Sequence, residues 1–133
     1  MFEKELEGKF QRIFDFKKTS FREPSVDQEQ EHLFIKIESA KNAVRDKKFV
    51  GIAKGKIHVF ASSDKLPYGY FTKQLAKSKA ADLQGLFFFD FEENSGTIDN
   101  IVERTCSFIY FFDIQYDPDL GLMDGFDSTV GLQ

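Results

Sequence analysis

Apolar residues recur at Phe2, Leu6, Phe10, Ile13 and Phe14, in steps of four, four, three and one, so one stripe of a helix over residues 2 to 14 is oily. Glu3, Glu5 and Glu7 fill its first turns, where the helix dipole favours carboxylates, and Lys9 and Arg12 lie toward its end. The polar stretch 17 to 31, with Pro24 and the run Asp27 to Glu31, reads as a long loop interrupted by one short strand around Ser20 to Arg22. From His32 to Glu38 the pattern alternates: Leu33, Ile35 and Ile37 face one way, and Phe34, Lys36 and Glu38 the other. Residues 39 to 43 then place nothing large on either face, and Arg45-Asp46-Lys47-Lys48 suits a turn. Phe49 to Ser62 reads as a second long strand; its first half is small or basic, and Ile57, Val59 and Ala61 restore an apolar face. A hairpin apolar at its base and basic at its tip has nothing to bury at the tip. A basic arm over roughly residues 40 to 54 is therefore expected to project beyond the core.

Ser62 to Pro67 is turn chemistry leading through Tyr68-Gly69-Tyr70-Phe71 into a second helix that runs to about Leu83. Phe71, Leu75, Ala76 and Leu83 supply its buried stripe, Lys73, Lys77 and Lys79 its outer face, and Gly85 its stop. Leu86 to Glu92 holds Phe87, Phe88, Phe89 and Phe91, which predicts a central strand apolar on both faces. From Val102 to Tyr116 the even positions are mostly apolar, a long strand with one oily face that ends at Asp117-Pro118. The fold class expected is α+β: a single antiparallel sheet with a long projecting hairpin, packed by the N-terminal helix and a second, central helix. Residues 1–118 form one such domain; 119–133 form an acidic tail rich in Gly and Asp, expected to stay mobile until a partner orders it.

Composition adds one oddity, 17 Phe and no Trp in 133 residues, enough aromatic area to fill a core and leave some for an interface. Charge adds more, because it is sorted along the chain: residues 1 to 35 sum to −2, 36 to 79 to +8 and 80 to 133 to −10. On separate faces of one fold, the two strong blocks would let one copy meet another head to tail. The basic arm, Lys41, Arg45, Lys47, Lys48, Lys54 and Lys56, is the candidate contact for a neighbour or partner, and Asp113, Asp117, Asp119 and Asp124 are the candidate complementary surface. The lone Cys106, on the oily face of the last strand, excludes an internal disulfide and fits a reducing, intracellular origin and a buried, inert thiol. The start is acidic and amphipathic, unlike a signal peptide, and no stretch is long enough to span a bilayer.

Catalytic chemistry finds little purchase. His32 and His58 have no Ser, Cys or paired carboxylate nearby in a recognisable motif. Asp90, Glu92 and Glu93 lack the lysine that a metal-dependent nuclease needs two residues on. The aspartates of 113 to 127 miss EF-hand spacing, with Pro118 or Leu122 where the loop glycine belongs. No phosphate-binding glycine loop is present; no cofactor, metal or catalytic residue is expected, and the protein reads as a non-enzyme. Nucleic-acid binding through the basic arm stays open, opposed by a pI near 5.2.

The order of elements, with the stretches Leu66-Pro67-Tyr68-Gly69-Tyr70-Phe71 and Ile114-Gln115-Tyr116-Asp117-Pro118, resembles that of the tail terminator, or tail completion, proteins of long-tailed bacteriophages. The resemblance implies a structural virion protein of the tail, assembled in the host cytoplasm. It implies a homo-oligomeric ring, a hexamer, that caps the tail tube and joins it to the head connector. Its partners would be further copies of itself, the tail tube protein and the head connector protein, with DNA passing through the lumen without specific binding. The alternatives are another head-tail connector adaptor or tail-tube subunit, and a small nucleic-acid-binding module built on the basic hairpin.

Overall fold

The phenylalanine stripe read from the N-terminus is what the molecule is built on. In the computed structural model, which describes residues 2–22, 31–45, 48–93, 101–113, 116–117 and 122–123, α1 (Phe2–Phe14) buries Phe2, Leu6, Phe10, Ile13 and Phe14. They press on one face of a five-stranded sheet: β1 (Thr19–Ser20), β2 (His32–Arg45), β3 (Lys48–Ser62), β4 (Leu86–Glu92) and β5 (Ile101–Asp113), in the order β1-β2-β3-β5-β4. Phe10 meets Phe108 edge-on at 5.1 Å and Phe88 at 6.0 Å, Phe14 meets Phe71 edge-on at 5.5 Å, and Phe2 stacks on Phe112 at 4.8 Å. Edge-to-face packing suits the ring quadrupole and lets many aromatics share one core without voids.

Between β3 and β4 lie α2 (Tyr70–Lys77) and α3 (Ala80–Leu83), on the same face as α1. Polar groups tie the three together. The Tyr70 hydroxyl donates to the Phe14 carbonyl at 2.7 Å and the Gln74 amide to that of Ile13, which satisfies the last turn of α1. Lys9, buried despite its charge, donates to the Ala81 carbonyl at 3.1 Å, and Arg12 pairs with Asp82 at 2.8 Å. The two cations expected to complement the dipole of α1 thus also bind α3. On the sheet, buried Arg104 donates to the Leu66 carbonyl at 2.9 Å and lies over the Tyr68 ring, pinning the turn that leads into α2.

The fold is α+β, as expected, with four differences. The sheet is mixed rather than purely antiparallel, because β1 pairs in parallel with β2 while the other pairs are antiparallel. The second helix breaks in two at Ser78, whose extended backbone and hydroxyl, bonded to the Gln74 carbonyl at 2.7 Å, end α2. Gly85 ends α3 as expected; its φ is +79°, and a Cβ there would sit 2.4 Å from the Phe111 carbonyl. The hairpin extends beyond the rest of the sheet, yet its free part is shorter than residues 40 to 54: β5 runs beside β3 as far as Val50, opposite Asp113, and Ala53 is fully buried. Small residues there admit close packing of the sheet; they do not signal an empty face.

The largest correction concerns β4. It lies at the edge of the sheet, not its centre, and Phe87, Phe89 and Phe91 are 59%, 41% and 45% exposed. Leu86 and Phe88 pack inward, opposite Tyr110 and Phe108 of β5, and beyond the shift of the ladder the half-exposed Phe91 leans on the buried Phe71 ring at 5.8 Å. The central place goes to β5, which pairs along its whole length with β3. The expected strand from Val102 to Tyr116 spans Ile101–Asp113; beyond it, β6 (Tyr116–Asp117) pairs with β7 (Leu122–Met123) in a separate two-stranded ladder. The remainder of the 119–133 tail lies outside the described residues.

Phe10→Ala should lower stability by about 3 to 5 kcal/mol, whereas Phe89→Thr should change it by less than about 0.5 kcal/mol; urea unfolding monitored by circular dichroism checks both.

Candidate assembly surface

The three helices of the described residues lie on one face of the sheet, so among those residues the other face has no helical cover. Alternation puts Phe34, Lys36, Ser39 and Lys41 of β2 there, with Ile52, Lys54, Lys56, His58 and Phe60 of β3. Glu103, Thr105, Ser107, Ile109, Phe111 and Asp113 of β5 share this face, as do Phe87 and Phe89 of β4. The lysines occupy the β2–β3 half, with Phe34 and Phe60 among them, and Phe87, Phe89 and Phe111 occupy the β5–β4 half, where Phe87 meets Phe111 edge-on at 5.8 Å.

Electrostatically the basic half is unbalanced. Lys36 lies directly opposite Lys56 in the ladder. Like charges so placed destabilise a sheet by a few tenths of a kcal/mol unless an anion lies over them. Among the described residues, Lys36, Lys41, Lys54 and Lys56 make no ion pair. Of the nearby acids, Glu103 lies 3.3 Å from His58 Nδ1 and Glu92 accepts from the Thr105 hydroxyl at 3.3 Å, while Glu38 is exposed at the bulge of β2 and Asp113 at the end of β5. His58 also stacks on Phe34 at 5.5 Å.

Of the residues expected on the arm, Lys41, Lys54 and Lys56 come together on this face. Lys48 and Arg45 face each other at the hairpin end, where only their backbone is described, and Lys47 lies outside the described residues. Lys36 belongs to the cluster and was missed. Its place on the polar side of an alternating strand was legible, but its register opposite Lys56 was not. Among the expected acidic positions, Asp113 is exposed at the end of β5 beside Val50, next to the basic hairpin and not on a separate face. Asp117 is described only as backbone in β6, and Asp119 and Asp124 lie outside the described residues.

The described residues offer no constellation for bond-making chemistry. They include no cluster of three or more His, Cys, Asp or Glu able to hold a metal ion. Cys106 is buried on the core face, and burial pushes its thiol far above the usual range, away from the reactive thiolate. Burial likewise raises Tyr70 and Tyr110. No helix among the described residues is long and apolar enough to cross a membrane. The fold and surface define a class: a one-sided α+β sheet whose uncovered face and aromatic edge can pack against other macromolecules.

No protein-family model matches the chain, and no curated protein matches it. Among solved structures it is similar to a chain of the "Virion of native gene transfer agent (GTA) particle", at 10% identity over 73% of this chain and 79% of that one, with a TM-score of 0.44.

His32, on this face, lies 3.1 Å from the Ser20 hydroxyl, and its pKa is lowered from 6.5 by burial first and by Lys18 second, with a hydrogen bond to the Arg22 backbone carbonyl working the other way. The unfolded chain therefore binds the proton more readily, and stability is lost as pH falls through about 6.5. The urea midpoint should fall between pH 7.5 and 5.5 for the parent chain and fall less for His32→Gln.

Proposed function

We propose that this chain is a non-enzymatic structural protein that assembles head to tail with its own copies into a ring, in the role of a tail terminator. The ring, a hexamer, would cap the tail tube of a phage or phage-like virion and join it to the head connector, with DNA passing through the lumen. The observation that carries the assembly is the edge strand with three exposed phenylalanines, next to a sheet face with four lysines that make no ion pair among the described residues. A lone soluble domain gains nothing from such an edge, which invites pairing and aggregation. Placed between subunits, the same features become a heterologous contact, which closes into a ring where the rotation from one copy to the next divides a full turn. The tail-terminator role itself rests on the layout of elements described from the sequence.

A second reading is favoured by the interleaving of Phe34, Phe60 and the lysines on one open sheet, since aromatic and cationic side chains on a sheet face can bind single-stranded nucleic acid. Salt separates the two. The ring protein should show no appreciable binding to a single-stranded oligonucleotide at physiological salt, whereas a nucleic-acid module using four lysines would bind with a slope against log salt of about −3.

Light scattering after size exclusion, with negative-stain microscopy, should find rings of defined mass. Reversing Lys36, Lys54 and Lys56 to Glu together should leave the circular dichroism spectrum intact and abolish the rings. Only monomers at every concentration would overturn the proposal.

A further inference from the structure

The sheet has two edges, and they differ in kind. On one side β2 is covered by β1 only at Leu33 and Phe34, so among the described residues its edge from Ile35 onward has no strand beside it. That edge carries Lys36 and Lys41, with the exposed Glu38 at the bulge between Ile37 and Ser39, and the exposed Lys17, Lys18 and Arg22 flank β1. On the other side β4 presents Leu86 to Phe89 as regular strand until the ladder shifts, where Asp90 adopts a φ of +51°. Its exposed side chains are phenylalanines, followed by the acidic Asp90, Glu92 and Glu93.

From this, and resting on the head-to-tail assembly proposed above, we infer that β4 of one copy adds antiparallel to the free edge of β2 in the next copy, so that the sheets of neighbouring subunits become continuous. Strand direction permits it. The antiparallel pairs β2–β3, β3–β5 and β5–β4 alternate direction across four strands, so β2 and β4 run oppositely. A copy displaced along the sheet without being turned over therefore sets its β2 antiparallel to β4, and keeps all its helices on the same side. An odd number of alternating strands would have demanded a parallel junction or an inverted subunit.

Charge selects the same pairing. A twofold contact of β4 with β4 would face two acidic ends carrying Asp90, Glu92 and Glu93, whereas β4 against β2 sets those carboxylates near Lys36 and the lysines before β1. Length agrees as well. Following the ladders across the sheet, Phe87 is level with Ile109, Lys54 and Ser39, and Phe89 with Ser107, Lys56 and Lys36. Leu86 to Phe89 can therefore pair with the stretch from Lys36 to Ala40 before β1 of the neighbour blocks the edge. The phenylalanines that the monomer leaves in water then lie beside the aliphatic stems of its lysines.

The full chain with Phe87→Cys and Ser39→Cys together, oxidised with copper phenanthroline, should give a disulfide-linked ladder on a non-reducing gel that ends at the ring size. Mixed single variants should give only a crosslinked dimer, and each single variant alone none. Phe87→Cys paired with Lys36→Cys or Lys41→Cys captures a register shifted by about one pair. All the substituted side chains lie outside the core, and Cys106 is 1% exposed and stays unreactive. Crosslinking of Phe87→Cys with itself would overturn the inference in favour of a twofold β4 contact. Rings of the parent chain without any β2–β4 crosslink would overturn it while leaving the assembly role standing. A parent chain monomeric at all concentrations would overturn both.

Discussion

The contact on which the rest depends is that of Phe10 and Phe14 with Phe88 and Phe108, the seat of α1 on the inner face of β4 and β5. Each ring buries on the order of 150 to 250 Å², and no other element contributes so many aromatics to the core. Because α2 and α3 are fastened to α1 through Tyr70, Gln74, Lys9 and Arg12, they follow it to the same face. One-sidedness is thus a consequence of where the phenylalanine stripe lands. The opposite face is left to whatever side chains alternation puts there, and those are lysines on β2 and β3 and phenylalanines on β4 and β5.

Helix α1 was legible to the residue because its apolar spacing admits one periodicity, and the strands β2, β3 and β5 were legible because theirs admits another. The failures share one cause. Periodicity states which residues share a face; it is silent on which strand lies beside which. Phe87, Phe88, Phe89 and Phe91 are consistent with a strand buried on both faces and equally with an edge awaiting a partner, and only the order β3-β5-β4 separates the two. The same blindness hid Lys36, whose significance is its register opposite Lys56. Gly51, Ala53 and Gly55 suggested an empty hairpin because small residues look alike whether nothing covers them or something comes very close. Gly55 shows the second case, since a Cβ there would sit 2.1 Å from the Lys36 carbonyl.

The sorting of charge along the chain survives in three dimensions only in part. The positive block does supply a cationic half-face, in Lys36, Lys41, Lys54 and Lys56. The negative block does not form a separate surface among the described residues: Glu103 is spent on His58, Glu92 on Thr105, and Asp113 lies beside the hairpin. Antiparallel pairing explains the mixing. β3 from the basic block and β5 from the acidic one are neighbours along their full length, so residues far apart in sequence alternate in space.

What remains unneutralised is therefore informative. Among the described residues Lys36 and Lys56 face each other without an ion pair, near one edge of a sheet whose far edge ends in Asp90, with Glu92 accepting from the Thr105 hydroxyl and Glu93 from the Gly69 N–H. Within one molecule β2 and β4 are separated by two strands, β3 and β5, and their outer edges cannot meet. Between two molecules oriented alike they are adjacent, and the distance that prevents cancellation in the monomer is the width of one subunit. In the proposed assembly, lysines unpaired among the described residues and carboxylates at the opposite edge of a sheet of alternating strands would set the direction in which copies add. The right-handed twist between successive strands would then curve the row of subunits.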